Sequence, residues 1–182
     1  MGLTPELRRD VGIMVYIKCS NGYADGDLSL LKDFLELIDT KIAEGDKEFR
    51  LTRDECAIDA IEYYAGFGFI AIQRYFNSTY PQVMSDKNKA LDACPSGLMA
   101  VLNAGANFAK HSEEWPIDQE LSKREQKTLD TFCCGDHDLS WHPYINKLFS
   151  LTQSLSFTNL IPKIEEWRNA LEPLQSLSEC AR

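Results

Sequence analysis

The chain is short of positive charge. Its 19 Lys and Arg face 28 Asp and Glu, which leaves a formal net charge of −9 over 182 residues. Such a surplus favours solubility and disfavours broad, nonspecific attachment to nucleic acid or anionic lipid. Any nucleic-acid role therefore has to rest on a local cationic site and has to weaken as salt is added. The chain also lacks a long hydrophobic run. The longest, Ala65 to Ile72, is far below the roughly 20 residues that span a bilayer as a helix. The opening MGLTPELRRD has no apolar signal core, and Gly2 is followed by Glu6 where a myristoylation motif requires Ser or Thr. Six cysteines are even in number but follow no spacing of a disulfide framework. The expectation is a cytoplasmic protein with reduced thiols. The GxSxG elbow, the P-loop, HExxH and CxxC are all missing, so the common nucleophilic, nucleotide-loop and zinc signatures carry no reading here. No cofactor and no metal are expected. Internal repeats and low-complexity tracts are also absent.

What is present is enough apolar material for one core. The hydrophobic share is 44% and the aromatic share 10%, with three Trp, which excludes a disordered chain. The length suits one domain, taken as residues 1–182 with an irregular arm over 1–26 and a loose tail over 173–182. Within the arm, Val11 to Ile17 reads equally as a strand, a helix or a packed extended segment, and SNGYADGD after it as a turn or loop. The periodicity then predicts an all-α bundle of six or seven helices. Leu28, Leu31, Leu35, Ile38 and Ile42 predict a helix from Leu28 to Ala43, stopped at Gly45. Thr52 followed by Glu55 has the capping-box pattern and predicts a second helix from Arg53 to Tyr75 or beyond. That helix is expected to be buried on most sides, with Tyr64, Phe67 and Phe69 widening its apolar stripe and Gly66 and Gly68 marking a tight helix crossing. Asn88 to Ala93, Ser96 to Trp115, Asp118 to Cys133, Trp141 to Leu155 and Asn159 to Leu171 supply the remaining helical segments.

The stretch Asn103 to Trp115, NAGANFAKHSEEW, concentrates the polar chemistry. On a helix, steps of four align Asn103, Asn107 and His111 as one stripe, with Lys110 beside it and Glu114 continuing it. Leu102, Gly105 and Phe108 fall on the other side. Amide, imidazole, ammonium and carboxylate groups in one row can hold a polar ligand, and histidine can exchange protons near neutrality.

The run from Asn107 through Phe108, Ala109 and Lys110 to His111 resembles the second part of the RNxxxH motif of the HEPN superfamily. The longer run ANFAKHSEEW is similar to an ANYFKHxxEW stretch in uncharacterised bacterial HEPN-like proteins. The resemblance implies an all-α fold and an RNA-directed protein of the toxin or defence type. Many members are metal-independent ribonucleases whose site forms across a homodimer, so a second copy and an antitoxin or other partner protein are also implied. It assigns catalytic roles to His111 and Asn107. The motif's arginine is replaced here by Ala106. Lys110 is the expected substitute cation in catalysis and Arg74 a further one in binding, while Asn103 and Glu114 extend the binding face. The alternative is a non-catalytic helical protein that uses the same polar face for a partner or small ligand.

Two further clusters stand apart. Lys123, Arg124 and Lys127 would reach RNA phosphates if their helix flanks the His111 face, although Glu120 and Glu125 dilute their charge. Cys133, Cys134, Asp136, His137 and His142 include zinc-ligand types, but adjacent cysteines do not chelate one tetrahedral ion well. A polar loop is expected there. Cys19, Cys56 and Cys94 read as core or neutral positions.

Overall fold

A computed structural model describes residues 17–19, 22–24, 26–82, 85–93, 96–115, 120–133 and 142–171. The fold is all-α. Among the described residues, seven α-helices follow a small antiparallel hairpin of strands β1 (Ile17–Cys19) and β2 (Gly22–Ala24). Ile17 pairs with Ala24, Lys18 with Tyr23 and Cys19 with Gly22. The strand option at the end of the apolar segment thus finds its partner within SNGYADGD, the stretch read as loop. Residues 11–16 and the tail after Leu171 lie outside the described residues.

Helices α1 (Gly26–Thr52) and α2 (Glu55–Thr79) form a long antiparallel hairpin. The expected stop at Gly45 does not occur, because this glycine serves packing. A Cβ added there would come within 2.7 Å of Ile61 Cγ1 on α2, so the missing side chain lets two backbones approach inside a continuous helix. The stop comes later. Arg53 has a φ of 58° and its N–H donates to the Phe49 carbonyl, which closes α1 in a left-handed turn. The predicted capping box is not formed either. Thr52 is the last residue of α1, with its hydroxyl donating to the Glu48 carbonyl. The N-cap of α2 is Asp54, whose carboxylate accepts from the Cys56 N–H at 3.0 Å.

Helix α2 is the axis of the bundle, packing against α1, α4 (Leu98–His111) and α6 (Pro143–Thr152). Phe69, at no exposed surface, meets the rings of Phe132, Tyr144 and Phe157. Phe108 meets Trp115, Phe132 and Tyr144. Gly68 and Gly105 make room for this cluster: a Cβ on Gly68 would lie 2.4 Å from the Phe157 ring, and one on Gly105 would lie 2.8 Å from both Phe132 and Phe69. Gly66 has ordinary contact distances of 3.6 Å to Ala109 and Tyr144. Phe67, in contrast to the expected burial, faces outward at 39% exposure, with Tyr63 packed edge-on against it.

Carboxylates from the long hairpin fasten the later elements. Glu62 accepts from the N–H groups of Tyr144 and Ile145 at 2.7 and 2.9 Å, serving the first turn of α6, which has no side-chain cap of its own. Asp39 accepts from the backbone of Phe157 and Thr158 and from the hydroxyls of Ser156 and Thr158. It anchors the turn that leads into α7 (Ile161–Leu171). The indole N–H of the fully buried Trp167 on α7 donates to the Ala90 carbonyl at 2.7 Å, and so holds the one-turn helix α3 (Lys87–Leu91) in place. Helix α5 (Lys123–Cys133) packs on α4 through Leu129 and Phe132.

Two outcomes follow for stability. Gly68→Ala should lower unfolding free energy by about 1–3 kcal/mol through overpacking against Phe157. Gly66→Ala should raise it by roughly 0.5–1 kcal/mol through helix propensity. Urea titration of both variants checks the pair, and equal effects would refute the distinction. Burial, reinforced by the charge of Asp59, lifts the Glu62 carboxyl above its usual range despite the two amide donors. The folded state thus holds this proton more tightly than the unfolded chain. The contribution is fully present below the unfolded pKa, about 4.3, and is lost as pH rises through the folded value. Glu62→Gln should therefore gain on the native protein between about pH 4 and pH 7, read as the difference in urea midpoints at the two values.

Candidate functional site

The polar stripe of α4 is organised by a residue outside it. Gln73 on α2 occupies a core position, four residues after Phe69 and three before Phe76, and is only 4% exposed. Its Nε2 donates to the Asn103 carbonyl oxygen at 3.1 Å, to Asn103 Oδ1 at 3.0 Å and to Asn107 Oδ1 at 2.8 Å. Its Oε1 accepts from Lys110 Nζ at 2.5 Å. The orientation of this network is set by chemistry. An ammonium can only donate, so the Gln73 oxygen must face Lys110. The Gln73 nitrogen must then face the asparagines, and each asparagine must turn its oxygen inward. Their Nδ2 amino groups take no part in the bonds to Gln73. Partial burial lowers the Lys110 pKa from its ordinary value.

Beside this network lies a cavity of about 470 Å³ between α3, α4 and α5. Asn103 and Asn107 line it from α4, Lys87 from α3, and Arg124 and Lys127 from α5. The single acidic side chain in its wall is Asp92. Lys87 also stands over the Phe76 ring at 5.6 Å. Burial, together with the charges of Lys110 and Arg124, lowers its pKa. Among the described residues, none of Lys87, Lys110, Arg124 and Lys127 forms an ion pair with a carboxylate. A protein with a net charge of −9 thus lines one hollow with three cations, Lys87, Arg124 and Lys127, and sets a fourth, Lys110, near enough to act on Lys87.

Gln73 draws Asn103, Asn107 and Lys110 together, and the cavity is lined by both asparagines and by Arg124 and Lys127 of the basic cluster, while Lys110 and Lys123 do not line it. The other expected residues stand outside it. The α-helix ends at His111, and Ser112–Glu114 continue as a 3-10 turn, so the stripe is shorter than a helix from Asn103 to Trp115 would make it. His111 is exposed, with Nδ1 3.2 Å from Glu114 Oε2, and neither residue lines the cavity. Arg74 is exposed and does not line the cavity. Ala106, at the arginine position of the resembling motif, is fully buried.

Other candidate groups contribute less. Cys56 is exposed rather than buried, and a hydrogen bond from its thiol to Asp54 raises its pKa, which disfavours the nucleophilic thiolate. Burial pushes the Tyr144 hydroxyl up to about 12, so it stays neutral near physiological pH. Cys134, Asp136 and His137 lie outside the described residues, and no metal-ligand cluster is found among those that are described.

Comparison of the chain with family models, with curated proteins and with solved structures finds no match. The site is thus read from its own chemistry. Two of its members, Gln73 and Lys87, are not among the residues that the sequence patterns single out. Gln73 carried a signal, a lone amide at a core position between Phe69 and Phe76; Lys87 sits in a one-turn helix and carried none.

If the buried amide organises the site, Gln73→Leu should cost about 1–3 kcal/mol by stranding the groups it satisfies. The asparagines would also be freed to turn. Urea unfolding measures the first effect and amide-resolved NMR of Asn103 and Asn107 the second. Unchanged stability together with unchanged Asn signals would remove Gln73 from this role.

Proposed function

We propose that this chain is an RNA-directed, HEPN-like helical protein that takes hold of its RNA in the basic cleft between α3, α4 and α5. The observation that carries the reading is a cationic, donor-rich hollow in an otherwise acidic protein. Such a site holds phosphate groups locally without inviting general nucleic-acid adhesion. In this reading Asn103 and Asn107 are binding groups with their oxygens committed to Gln73. Lys110 braces them and adds field, and the cationic role of the motif's arginine passes to Lys87, Arg124 and Lys127.

Cleavage in this reading depends on His111. It stands one helical turn, about 6 Å along the axis, beyond Asn107, and the Glu114 carboxylate beside it can hold its tautomer. An active protein would let a ribose 2′-hydroxyl attack the adjacent phosphate as its proton passes to His111, breaking the bond to the 5′-oxygen of the next nucleotide, which leaves protonated, and forming a 2′,3′-cyclic phosphate with no metal required. The second reading is a non-catalytic RNA-binding protein. It is favoured by the burial of Ala106, which leaves the motif without its own cation beside His111. A homodimer and an antitoxin partner belong to the same proposal and follow from the resemblance, and a cytoplasmic place of action belongs to it on the sequence features that give that expectation.

Fluorescence anisotropy with a labelled single-stranded RNA over a salt series tests binding. Three contacting cations give an expected slope of about −2 in log K against log[salt]. The double variant Arg124→Gln, Lys127→Gln should weaken binding by about 10–100-fold and flatten the slope. RNA degradation in EDTA by native protein and by His111→Ala separates the two readings: loss of cleavage in the variant supports the enzyme, and silence in both supports the binding protein.

A further inference from the structure

The cleft has a selectivity of its own. Pockets that enclose one small ligand run from about 300 to 1,000 Å³, and this one, about 470 Å³, falls near the lower end of that range. A groove that tracks a strand extends along it and spreads its cations. Here Lys87, Lys110 and Arg124 are close enough that the other two charges disfavour charging of Lys87. Cations crowded against one another, with Asp92 the single acid in the wall, are best compensated by a compact dianion. An internal phosphodiester carries one negative charge and must leave the pocket on both sides. A terminal phosphomonoester carries nearly two at neutral pH and leaves on one side.

The asparagines add a second selection. Because Lys110 fixes Gln73, and Gln73 takes both Asn oxygens, the wall offers the Nδ2 groups of Asn103 and Asn107 as donors. Donors beside a phosphate-binding group suit the acceptor atoms of a ribose or a base. We infer that the cleft is a terminal-phosphate pocket for one nucleoside monophosphate unit, either a free nucleotide or the phosphorylated end of an RNA. The phosphate lies among Lys87, Arg124 and Lys127, and the nucleoside lies along Asn103 and Asn107. This inference rests on the RNA-binding reading and narrows it.

The test uses short oligoadenylates that differ only at their ends: a 5′-phosphate, a 3′-phosphate, or hydroxyls at both. Adenosine 5′-monophosphate, adenosine and inorganic phosphate serve as competitors. A phosphorylated end should bind about tenfold or more tightly than the hydroxyl form, and adenosine 5′-monophosphate should displace it where adenosine does not. Competition by the mononucleotide at the affinity of the oligonucleotide identifies a free nucleotide as the ligand; much weaker competition identifies an RNA end. Asn107→Asp keeps an oxygen for Gln73 and places a second one toward the cleft. It should abolish the preference with thermal unfolding unchanged, and Arg124→Gln should reduce it about tenfold. Equal binding of all three oligonucleotides, with salt-sensitive affinity, would overturn the terminal-phosphate pocket and leave the RNA reading standing. No binding of any RNA or nucleotide would overturn both.

Discussion

Burying an amide without partners costs several kcal/mol on scales where nothing can compensate it, and Gln73 is buried in the seam between α2 and α4. Its two hydrogens serve three oxygens of Asn103 and Asn107, and its oxygen takes the Lys110 ammonium. The bonds thus fix the register of α4 against α2 and, through that register, the face that α4 turns toward α3 and α5. Apolar packing alone would leave this less determined, because rings and methyl groups tolerate small slides that a four-partner amide does not. The glycines work in the same seam. Gly105 admits the rings of Phe69 and Phe132, so the helices approach closely enough for a side chain as short as Asn103 to reach across.

The charge distribution follows from this placement. Helix α5 contributes cations from a face that its few apolar anchors, Leu129 and Phe132, leave toward solvent and cleft. Helix α3 contributes Lys87, held above the Phe76 ring. The acidic residues that give the chain its net charge are engaged elsewhere in several cases: Asp39 and Glu62 receive backbone donors, and Glu165 pairs with Lys32. Acidic groups thus hold the scaffold together while the cations are left available around one hollow.

Much of the scaffold could be read from periodicity, because the apolar positions of α1 and α2 repeat at the helical step and that repeat is local. Leu28, Leu31, Leu35, Ile38 and Ile42 are all buried. The errors have a common cause. The local character of Gly45, Thr52 and Phe67 points to a stop, a cap and burial, whereas their placement depends on Ile61, Asp54 and the outward side of α2. The stripe of Asn103, Asn107 and Lys110 was likewise visible as a pattern on one helix. Its partner Gln73 lies 30 residues or more away in the chain, and nothing local could pair them. The same holds for Arg124 and Lys127, whose meeting with α4 was conditional on a packing that only the fold supplies. His111 was the most conspicuous residue of the motif, yet it stands at the end of the helix where the wall of the cleft has already closed.

The single turn of α3 carries one more consequence. A helix of five residues has almost no cooperativity of its own, since nucleation consumes what so few hydrogen bonds return. It persists because Asp86 caps it and because Trp167 reaches from α7 to the carbonyl of Ala90. One wall of the cleft is therefore on loan from the far end of the chain. Opening of α7 would take the indole donor from the Ala90 carbonyl and the Trp167 ring from Phe76, over which Lys87 stands, so the support of that cation would loosen from both sides. The packing of α7 and the placement of a cleft cation are thereby coupled through one indole.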